Sequence, residues 1–496
     1  MRRLSTSSSP TRTFHWLAQI TVFVLGLTLL LGNVGWSQED APKAKKKGEA
    51  KAKAEGKAEA KKAESKTKPK PAPKVELEYP PKLPGGKEMV TDTAPEFLKP
   101  FKDLPEGVTV AKTPPTIDFA YFPEQNYAAR PWSNWGESTV HDGKYYCAFG
   151  DHLAPQGNAF VFEYDPSTKK FRTLMNLKKL LNMPEGHYAP GKIHSRLGVG
   201  KDGWLYCTTH RGSTTITTDQ YHYKGDWIVR CNPSTGVQEV VQAAPVEKHC
   251  LPCAHLDPDR LILYGGSAPG AKTDPRGIQF WAYDLANRKM LYSGDNGPAR
   301  AMMVSKSTGN VYFVPGAGNE PLMRFNPKTA AAPEKIEGSL GIRAATDETP
   351  QGKIYAASQS GSSTGGCELY EFDVKTEKIR SLGLASVGTE HYVASLAAEA
   401  TGKYIYYAPG AHGGGYRDGS PVVQFNTQTG KRKVIAFLHP FYQEKYGVAV
   451  QGTYAVSVTP DGSRVFICWN SARGPNPKGW DSCALTSISI PASERE

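Results

Sequence analysis

Residues 202–210 read Asp-Gly-Trp-Leu-Tyr-Cys-Thr-Thr-His, a turn signal followed by a short apolar strand. This combination occurs seven times, at intervals of about 42 to 60 residues. The seven copies are Asp142-Gly143 before KYYCAFG, Asp202-Gly203 before WLYCTTH, Pro258-Asp259 before RLILYGG, Thr308-Gly309 before NVYFVPG, Gln351-Gly352 before KIYAASQ, Thr401-Gly402 before KYIYYAPG and Asp461-Gly462 before SRVFICWN. Turn dipeptides of this kind are typical of antiparallel hairpins, so each copy predicts two paired strands.

A second signal follows the first in six of the units. An aromatic strand runs into a polar turn and a charged strand, as in FEYDPSTKKF, VRCNPSTGVQ, WAYDLANRKM, MRFNPKTAAA, YEFDVKTEKI and VQFNTQTGKR. Each repeat therefore predicts four antiparallel strands, A to D. Short strands with this period indicate an all-β fold, a seven-bladed β-propeller of four-stranded antiparallel blades.

The ring needs one strand from outside the last repeat. The seventh unit ends in LTSISIP and has no D strand of its own. We expect the segment Val108–Phe122 to supply that strand, which would join the two ends of the ring and remove open sheet edges. The predicted propeller spans residues 108–491, and residues 492–496 form a short tail.

The N-terminus has the pattern of an export signal. Arg2, Arg3 and Arg12 precede an apolar run at residues 16–31, and Gly35 and Ser37 follow it. This order predicts a signal peptide over residues 1–37, and hence a secreted, periplasmic or cell-envelope protein. The alternative is an uncleaved membrane anchor, because the apolar run approaches spanning length.

Most of the positive charge lies in the same region. The chain has 60 Lys and Arg against 48 Asp and Glu, a net charge of +12. Residues 1–74 hold 16 basic and 6 acidic side chains, so the remaining 422 residues are nearly neutral. Residues 38–107 are predicted to form a disordered Lys/Ala/Pro-rich linker and lead-in, acting as a cationic tether to the envelope or as a spacer. We expect no nucleic-acid partner and a monomeric protein.

The propeller assigns the loops to two faces. The A–B and C–D turns are tight, whereas the B–C loops on the opposite face are long, and binding residues are usually placed on such loops. The predicted mouth gathers basic side chains, namely Arg196, Arg211, Arg276, Arg300, Arg343, His391, His412 and Arg417. A cationic mouth of this kind suits an anionic ligand, and Arg matches the geometry of a carboxylate.

Blade two contains the densest group of candidate catalytic residues. His194 opens its A strand and His210 ends its B strand, so a tight turn between the strands should place the two side by side. Two adjacent imidazoles near arginines could perform general acid/base chemistry. The alternative is a pair of ordinary surface histidines.

A short cysteine and histidine motif in blade three suggests a possible metal site. His249, Cys250, Cys253 and His255 are ligand types for zinc or another divalent cation. There is no second CxxC pair, and small buried cysteines on an inner strand are also ordinary packing. Elsewhere, Cys468 and Cys483 lie on neighbouring strands and form the best candidate disulfide.

The repeats resemble the seven-bladed propeller superfamily across residues 108–491, and the His/Arg/Tyr mouth is similar to secreted ulvan lyases and oligogalacturonate lyases. This resemblance implies β-elimination in a uronate-containing polysaccharide. It also implies roles for His194, His210 and Tyr264 in catalysis and for Arg276 in substrate binding, since these match the chain order of ulvan-lyase sites. Oligogalacturonate lyases instead gather histidines around a metal.

Three hypotheses follow from the sequence. The first is a lyase acting on an anionic polysaccharide, and the second is a non-catalytic propeller that binds glycan or protein at the envelope. The third is a metal-dependent hydrolase or lactonase. The cationic mouth favours the first over the third, but propellers perform both catalytic and binding roles.

Overall fold

The computed structural model describes residues 77–496, apart from positions 214, 272–273, 317, 319–320, 359–365 and 475–478. The predicted signal peptide and most of the predicted linker lie outside the described residues. Within the described part of the chain, the strands form seven separate sheets, one for each repeat. The prediction of an all-β, seven-bladed propeller is therefore confirmed.

Three strands precede the first repeat: β1 (Val90–Thr93), β2 (Val108–Val110) and β3 (Thr116–Tyr121). The blades then follow in chain order, and the A strand of blade two is divided in two. Blades one to four contain β4 (Thr139–His141), β5 (Lys144–Gly150), β6 (Ala159–Asp165), β7 (Lys170–Asn176), β8 (Lys192–Ile193), β9 (Gly198–Val199), β10 (Leu205–His210), β11 (Trp227–Cys231), β12 (Gln238–Ala243), β13 (His249–Asp257), β14 (Ile262–Pro269), β15 (Gln279–Asp284), β16 (Lys289–Asp295), β17 (Met303–Val304), β18 (Val311–Phe313), β19 (Leu322–Phe325) and β20 (Glu334–Ile336). Blades five to seven contain β21 (Ala344–Ala345), β22 (Lys353–Ala357), β23 (Glu368–Asp373), β24 (Lys378–Leu384), β25 (Ala397–Ala398), β26 (Tyr404–Tyr407), β27 (Pro421–Asn426), β28 (Arg432–Phe437), β29 (Val448–Val458), β30 (Arg464–Arg473) and β31 (Ser482–Ser489).

In the described part of the chain, helical structure is confined to short connections. Two α-helices, α1 (Leu177–Leu181) and α2 (Phe441–Tyr446), precede blades two and seven. Single 3-10 turns occur at Pro84–Gly86, Pro95–Leu98, Asp219–Tyr221, Gly415–Asp418 and Ala492–Glu494. Among the described residues, no helix is both long and apolar enough to cross a membrane.

The A–B turns explain why the repeats carry Gly at a fixed place. Gly143 and Gly462 have φ angles of 73° and 68°, in the left-handed region that Gly enters without steric cost. Such turns match the twist of the strands they join. The sequence therefore places these turns on one face of the ring, and the longer B–C loops form the other face, which we call the mouth.

The ring is closed by the N-terminal segment, as expected, but only part of the predicted segment takes part. β3 pairs antiparallel with β31 from Thr116 opposite Ser489 to Tyr121 opposite Ala484. β2 instead pairs in parallel with β28 of blade six. Pro114 and Pro115 separate the two strands, since proline has no N–H to continue a ladder.

Packing of the lead-in begins before the predicted boundary at residue 108. β1 adds a fifth strand to blade seven by pairing with β3. Leu83 and Phe97 are buried in the same hydrophobic cluster as Phe119 of β3. Residues 77–107 thus cover the outer edge of the closing blade rather than extending as a disordered linker.

The cores of the blades consist of apolar side chains on B and C strands. Cys147, Cys207 and Cys468 occupy equivalent positions of three B strands and are fully buried there. The expected disulfide is not formed, because all eight cysteines are free thiols. In the strand register Cys483 stands opposite Asn470, and Cys468 stands opposite Leu485.

Candidate active site

The mouth places His194 and His210 side by side. His210 is the last residue of β10 and stands opposite Lys192 of β8, two residues before His194. The two imidazole rings meet edge to face with their centroids 5.6 Å apart. The structure thus brings together the pair that the tight turn of blade two predicted.

Both imidazoles are withdrawn from water. Each residue is only 7% exposed, and neither Nδ1 atom has a hydrogen-bond partner among the described residues. Burial holds the pKa of His194 well below its ordinary value, and the nearby charges of Arg300 and Arg343 lower it further. Burial, Arg211 and His194 lower the pKa of His210 in the same way. The pair is therefore neutral at neutral pH, and a neutral imidazole can accept a proton.

Two arginines share the central cavity with His194. Arg300 and Arg343 line a small, partly open cavity of about 20 Å³ together with His194. Arg343 is 3% exposed, and its Nε donates a hydrogen bond to the Tyr392 hydroxyl. Arg300 donates to the carbonyl of Ala299. Neither guanidinium forms an ion pair within the described part of the chain. Glu137 lines the same cavity and attracts Arg343, but burial raises the pKa of its carboxyl to about 7, so at neutral pH it offsets the positive charge only in part.

Aromatic rings form the wall beside these arginines. The Arg343 guanidinium lies 5.1 Å from the centre of the Tyr392 ring and 5.4 Å from that of Tyr454. The Tyr454 hydroxyl is 2.7 Å from Nδ1 of His412, and the His412 ring stacks on Tyr392 with centroids 4.3 Å apart. Partial desolvation among the surrounding rings, and then Arg343 and Arg300, lowers the pKa of His412 to about 4. This arrangement places a phenol–imidazole pair, Tyr454 and His412, next to the predicted histidine pair, with the Tyr454 and His194 ring centroids 6.3 Å apart.

Tyr454 was not among the predicted site residues, although the sequence contains a signal for it. Tyr454 precedes Asp461 of its A–B turn by the same seven residues that separate Trp135 from Asp142 in blade one. Trp135 and Tyr454 therefore occupy equivalent positions in their repeats. The two side chains are in fact neighbours, with ring centroids 4.9 Å apart.

Trp135 and His152 form a further part of the wall that the predicted site did not include. The His152 ring stacks on Trp135 at 5.5 Å, and Nζ of Lys192 lies 4.3 Å from the centre of the indole. Ser133 accepts the indole N–H at 2.7 Å and contacts Nε2 of His152 at 3.3 Å. These contacts fix the position of the indole against His194, whose ring centroid is 6.1 Å away.

Arg196 lies deeper in the central channel and is neutralised there. Its guanidinium is 3.2 Å from the Asp347 carboxylate and donates to the carbonyl of Ala345 at 3.1 Å. Burial alone would raise the pKa of Asp347, but Arg196 and Lys306 hold it well below its ordinary value. Burial raises the pKa of the neighbouring Glu137 carboxyl to about 7, against the effect of Arg196. Arg196 lines the same cavity as Arg300 and Arg343, but it is ion-paired and does not present a free cation there.

The predicted metal ligands of blade three are not brought together. The four residues lie along β13, and successive side chains of a strand point to opposite faces. Nδ1 of His249 is 2.7 Å from Ser267, Cys250 accepts a hydrogen bond from Arg211 at 2.9 Å, and Nε2 of His255 is 3.5 Å from Asp347. Cys253 packs in the apolar core. Across the described residues, no three His, Cys, Asp or Glu side chains are grouped so as to hold a metal ion.

Tyr264 lies away from the mouth. It is fully buried near the start of β14, and its hydroxyl donates to the carbonyl of Gly309 in the A–B turn of blade four. A residue near the start of a B strand lies close to the face of the tight turns. This is why Tyr264 is far from the mouth, where the sequence predicted it to lie. The matching chain order with ulvan lyases did not distinguish the two ends of the strand.

The other predicted binding residues surround the mouth but differ in availability. Arg276 is ion-paired with Asp274 at 2.7 Å, and Arg417 with Glu390 at the same distance. Arg211 is 4% exposed and donates to the Pro269 carbonyl at 2.8 Å, so it acts on His210 mainly through its charge. His391 is half-buried, and its Nδ1 has no partner among the described residues. The mouth site, as used below, comprises His194, His210, Arg300, Arg343, Tyr392, His412 and Tyr454.

Comparison with known proteins shows the fold and does not give a family. No family model and no curated protein matches the chain. An oligogalacturonate lyase from Vibrio parahaemolyticus superposes with a TM-score of 0.50 at 10% identity, covering 82% of this chain and 98% of that one. An oligogalacturonate lyase in complex with manganese gives 0.49 at 12% identity, covering 80% and 98%. At 10% identity, the superposition on the Vibrio structure shows a shared propeller fold and no more.

Proposed function

We propose that the mouth site binds an anionic polysaccharide and cleaves its uronate residues by β-elimination. The observation that carries this proposal is a cavity lined by two arginines without ion pairs and by the buried, neutral imidazole of His194, whose ring contacts that of His210. Leaving such arginines without counter-charges costs free energy unless a ligand supplies one. The carboxylate of a uronic acid is an anion of the right geometry for guanidinium groups.

The arginines and histidines correspond to the two requirements of the reaction. Arg300 and Arg343 neutralise the carboxylate, which makes the hydrogen on the adjacent carbon more acidic. His194 or His210 accepts that hydrogen as a proton, and the C–H electron pair becomes a carbon–carbon double bond. The bond to the glycosidic oxygen on the next carbon breaks, and the protonated imidazole pair releases its proton to this leaving oxygen. The products are a shortened chain and an unsaturated uronate, and the protein is unchanged.

Galacturonate oligomers are the first substrates to test, because the superposed Vibrio structure is named an oligogalacturonate lyase. The proposal here rests on the mouth site and not on that likeness. No step runs through a metal ion, since the donor groups that the structure describes are not arranged to hold one.

The test is an assay for the unsaturated product. The full chain is incubated with polygalacturonate, ulvan and a glycosaminoglycan, and the ultraviolet absorbance of the new double bond is followed. We expect product from at least one polymer, and a loss of about 100-fold or more in rate in His194→Ala and His210→Ala. His141→Ala, which changes an exposed histidine in an A–B turn on the other face, is the matched control.

Three results would contradict the proposal. Absence of product on every uronate polymer would exclude the lyase, and binding without turnover would indicate a non-catalytic glycan receptor. Equal activity of the His194→Ala variant and the parent would place catalysis elsewhere.

Export and envelope attachment are part of the same proposal. A polysaccharide substrate lies outside the cell, which agrees with the export signal predicted at residues 1–37. The 13 basic residues at positions 43–74, which follow the predicted signal peptide, would hold the ring near anionic envelope polymers. Release of the full chain from isolated envelopes by raised salt would support this attachment, and retention at high salt would contradict a purely electrostatic tether.

A further inference from the structure

A group of tryptophans stands beside the mouth site and has no role in the chemistry proposed above. Trp135 is 5% exposed and packs against Tyr454. Its indole meets Trp480 with ring centroids 5.4 Å apart and planes inclined at 62°. Trp480 comes from the B–C loop of blade seven and is half-buried, so part of its surface faces solvent at the mouth.

The local backbone holds Trp480 close to the reactive groups. A Cβ atom built on Gly413 would lie 2.6 Å from the indole nitrogen of Trp480, and Gly413 has a φ of +91°. Only glycine allows the indole to approach the loop here. Gly413 directly follows His412, so the tryptophan lies next to a member of the mouth site.

The indole N–H of Trp480 differs in its hydrogen bonding from those of three other tryptophans. Its indole N–H donates to no residue that the structure describes, whereas the N–H groups of Trp132, Trp135 and Trp469 all have partners. An indole with a free N–H at its edge offers an apolar face and one donor to a ligand.

A continuous series of rings joins Trp480, through Trp135, to Arg343. The Trp135 and His412 rings lie 6.4 Å apart, His412 stacks on Tyr392, and Tyr392 accepts a hydrogen bond from Arg343. A ligand extending along this wall would meet positive charge at one end and an apolar indole at the other.

We propose that Trp480, supported by Trp135, is a stacking platform for a second sugar ring of the bound polysaccharide. A pyranose has an apolar face of C–H groups and hydroxyls at its edge, which matches an indole face with a free N–H. This inference rests on the proposed function, and it narrows the ligand to an oligosaccharide of at least two rings. A small carboxylate without a sugar would use the arginines alone.

The test compares two probes that share carboxylates but not sugar rings. Binding of trigalacturonate and of tricarballylate is measured by titration calorimetry with the full chain, in a His210→Ala background so that the oligomer is not cut. We expect Trp480→Ala to weaken trigalacturonate binding about tenfold and to change tricarballylate binding less than about twofold. Trp480→Phe keeps an aromatic face and should stay within about threefold of the parent for both probes.

A matched control and a folding check accompany these variants. Trp204→Ala removes another half-buried tryptophan, which lies near the A–B turn of blade two and is covered by Arg230 at 3.9 Å. This change should leave both affinities unchanged. Circular dichroism of each variant shows whether the ring remains folded, and Trp480→Phe provides the comparison if Trp480→Ala does not fold.

The outcomes separate this inference from the function on which it rests. If Trp480→Ala binds trigalacturonate as the parent does while Arg343→Gln does not, the platform is wrong and the proposed function stands. Equal weakening of both probes would show a general distortion of the mouth and overturn the platform. If the parent binds no trigalacturonate, both proposals fail. Tighter binding of adenosine monophosphate that depends on Trp480 would identify a platform for aromatic bases instead of sugars.

Discussion

At the scale of single residues, the central feature is a pair of histidines that remain neutral. Burial disfavours the imidazolium form, and the positive charges of Arg300 and Arg343 act in the same direction. No carboxylate among the described residues contacts His194 or His210 to oppose these effects. The two residues are thus suited to accept a proton from a substrate that the arginines hold.

The protonation state of this pair can be measured directly. We predict that the imidazole resonances of His194 and His210 in nuclear magnetic resonance spectra do not titrate until the pH is well below 6.5, the ordinary value for histidine. Assignment follows from His194→Gln and His210→Gln. Titration of either ring at or above pH 6.5 would show that the charged form is stabilised, which contradicts the account of the site.

Arg343 should be required for binding and not for folding. Removing its charge in Arg343→Gln should weaken binding of a galacturonate oligomer by roughly 10- to 100-fold, the usual range for a charge-assisted hydrogen bond. Arg343→Lys keeps the charge but loses the planar fork, so it should fall between the parent and Arg343→Gln. Arg230→Gln, on the opposite face, is the control in the same calorimetric titration. An unchanged affinity in Arg343→Gln would exclude this arginine from the site.

The residue patterns predicted His194 and His210 correctly. They placed Tyr264 wrongly and did not identify Tyr454, because chain order does not say where along a strand a residue lies. His194 and His210 were found because a tight turn fixes which strand ends are adjacent. Tyr264 was selected by chain order, which carries no information about the position along a strand, and the structure buries it at the far face. Tyr454 lies at the mouth, where the predicted catalytic tyrosine was expected. In the sequence, only its spacing to Asp461 of the A–B turn identifies it as a mouth residue.

At the scale of elements, the closure of the ring by β3 is the feature with the clearest mechanical consequence. Phe119 on this strand is fully buried and packs on Tyr442 of α2 with ring centroids 4.7 Å apart. Phe119→Ala should destabilise the ring by about 3–5 kcal/mol, because a large cavity would remain in the closing blade. The midpoint of thermal unfolding should fall accordingly.

Val108→Ala provides the comparison for that change. Val108 lies on β2, is only half-buried, and pairs with the outer strand of blade six. We expect a cost of about 1 kcal/mol or less. Equal effects of the two substitutions would contradict the assignment of closure to β3 alone.

The repeats predicted the blades well because turn chemistry and strand alternation are local properties. The division of residues 108–122 into two strands in different blades depends on Pro114 and Pro115, whose effect was not considered. The cysteine and histidine motif of blade three failed as a metal site for a related reason. Its residues are close in sequence, but a strand separates their side chains along its length and between its faces.

At the scale of the whole molecule, the mouth should make stability depend on pH. The pKa of His152 is held well below its ordinary value by burial, and then by Lys192 and His194. In the unfolded chain this histidine takes up a proton below about pH 6.5, whereas in the folded ring it does not. Its contribution to stability is therefore constant above pH 6.5 and falls by about 1.4 kcal/mol per pH unit as the pH drops towards the folded pKa.

This dependence is best measured as a difference between two proteins, because other groups titrate in the same range. The unfolding midpoint of the parent, relative to that of His152→Gln, should be constant above pH 6.5 and should decrease progressively below it. Glu137 and Asp226, whose burial raises their pKa values to about 7 and about 6, are present in both proteins and largely cancel. A difference that does not change between pH 7 and pH 5 would show that His152 is protonated in the folded ring.

The positive charge of the chain lies in two separate places, the N-terminal segment and the mouth. The excess of basic residues in the first 74 positions belongs to the predicted export and tethering segment, while the rest of the chain is nearly balanced. Within that balanced ring, the fold concentrates unpaired positive charge in a single cavity at the mouth. The account depends on that cavity being the place where a uronate is recognised.

A crystal structure of the His210→Ala variant with trigalacturonate tests this claim most directly. The account predicts a sugar carboxylate within hydrogen-bonding distance of the guanidinium groups of Arg300 and Arg343, with the adjacent C–H directed towards His194. An oligomer bound away from the mouth, or bound there with its carboxylates directed away from both arginines, would contradict it.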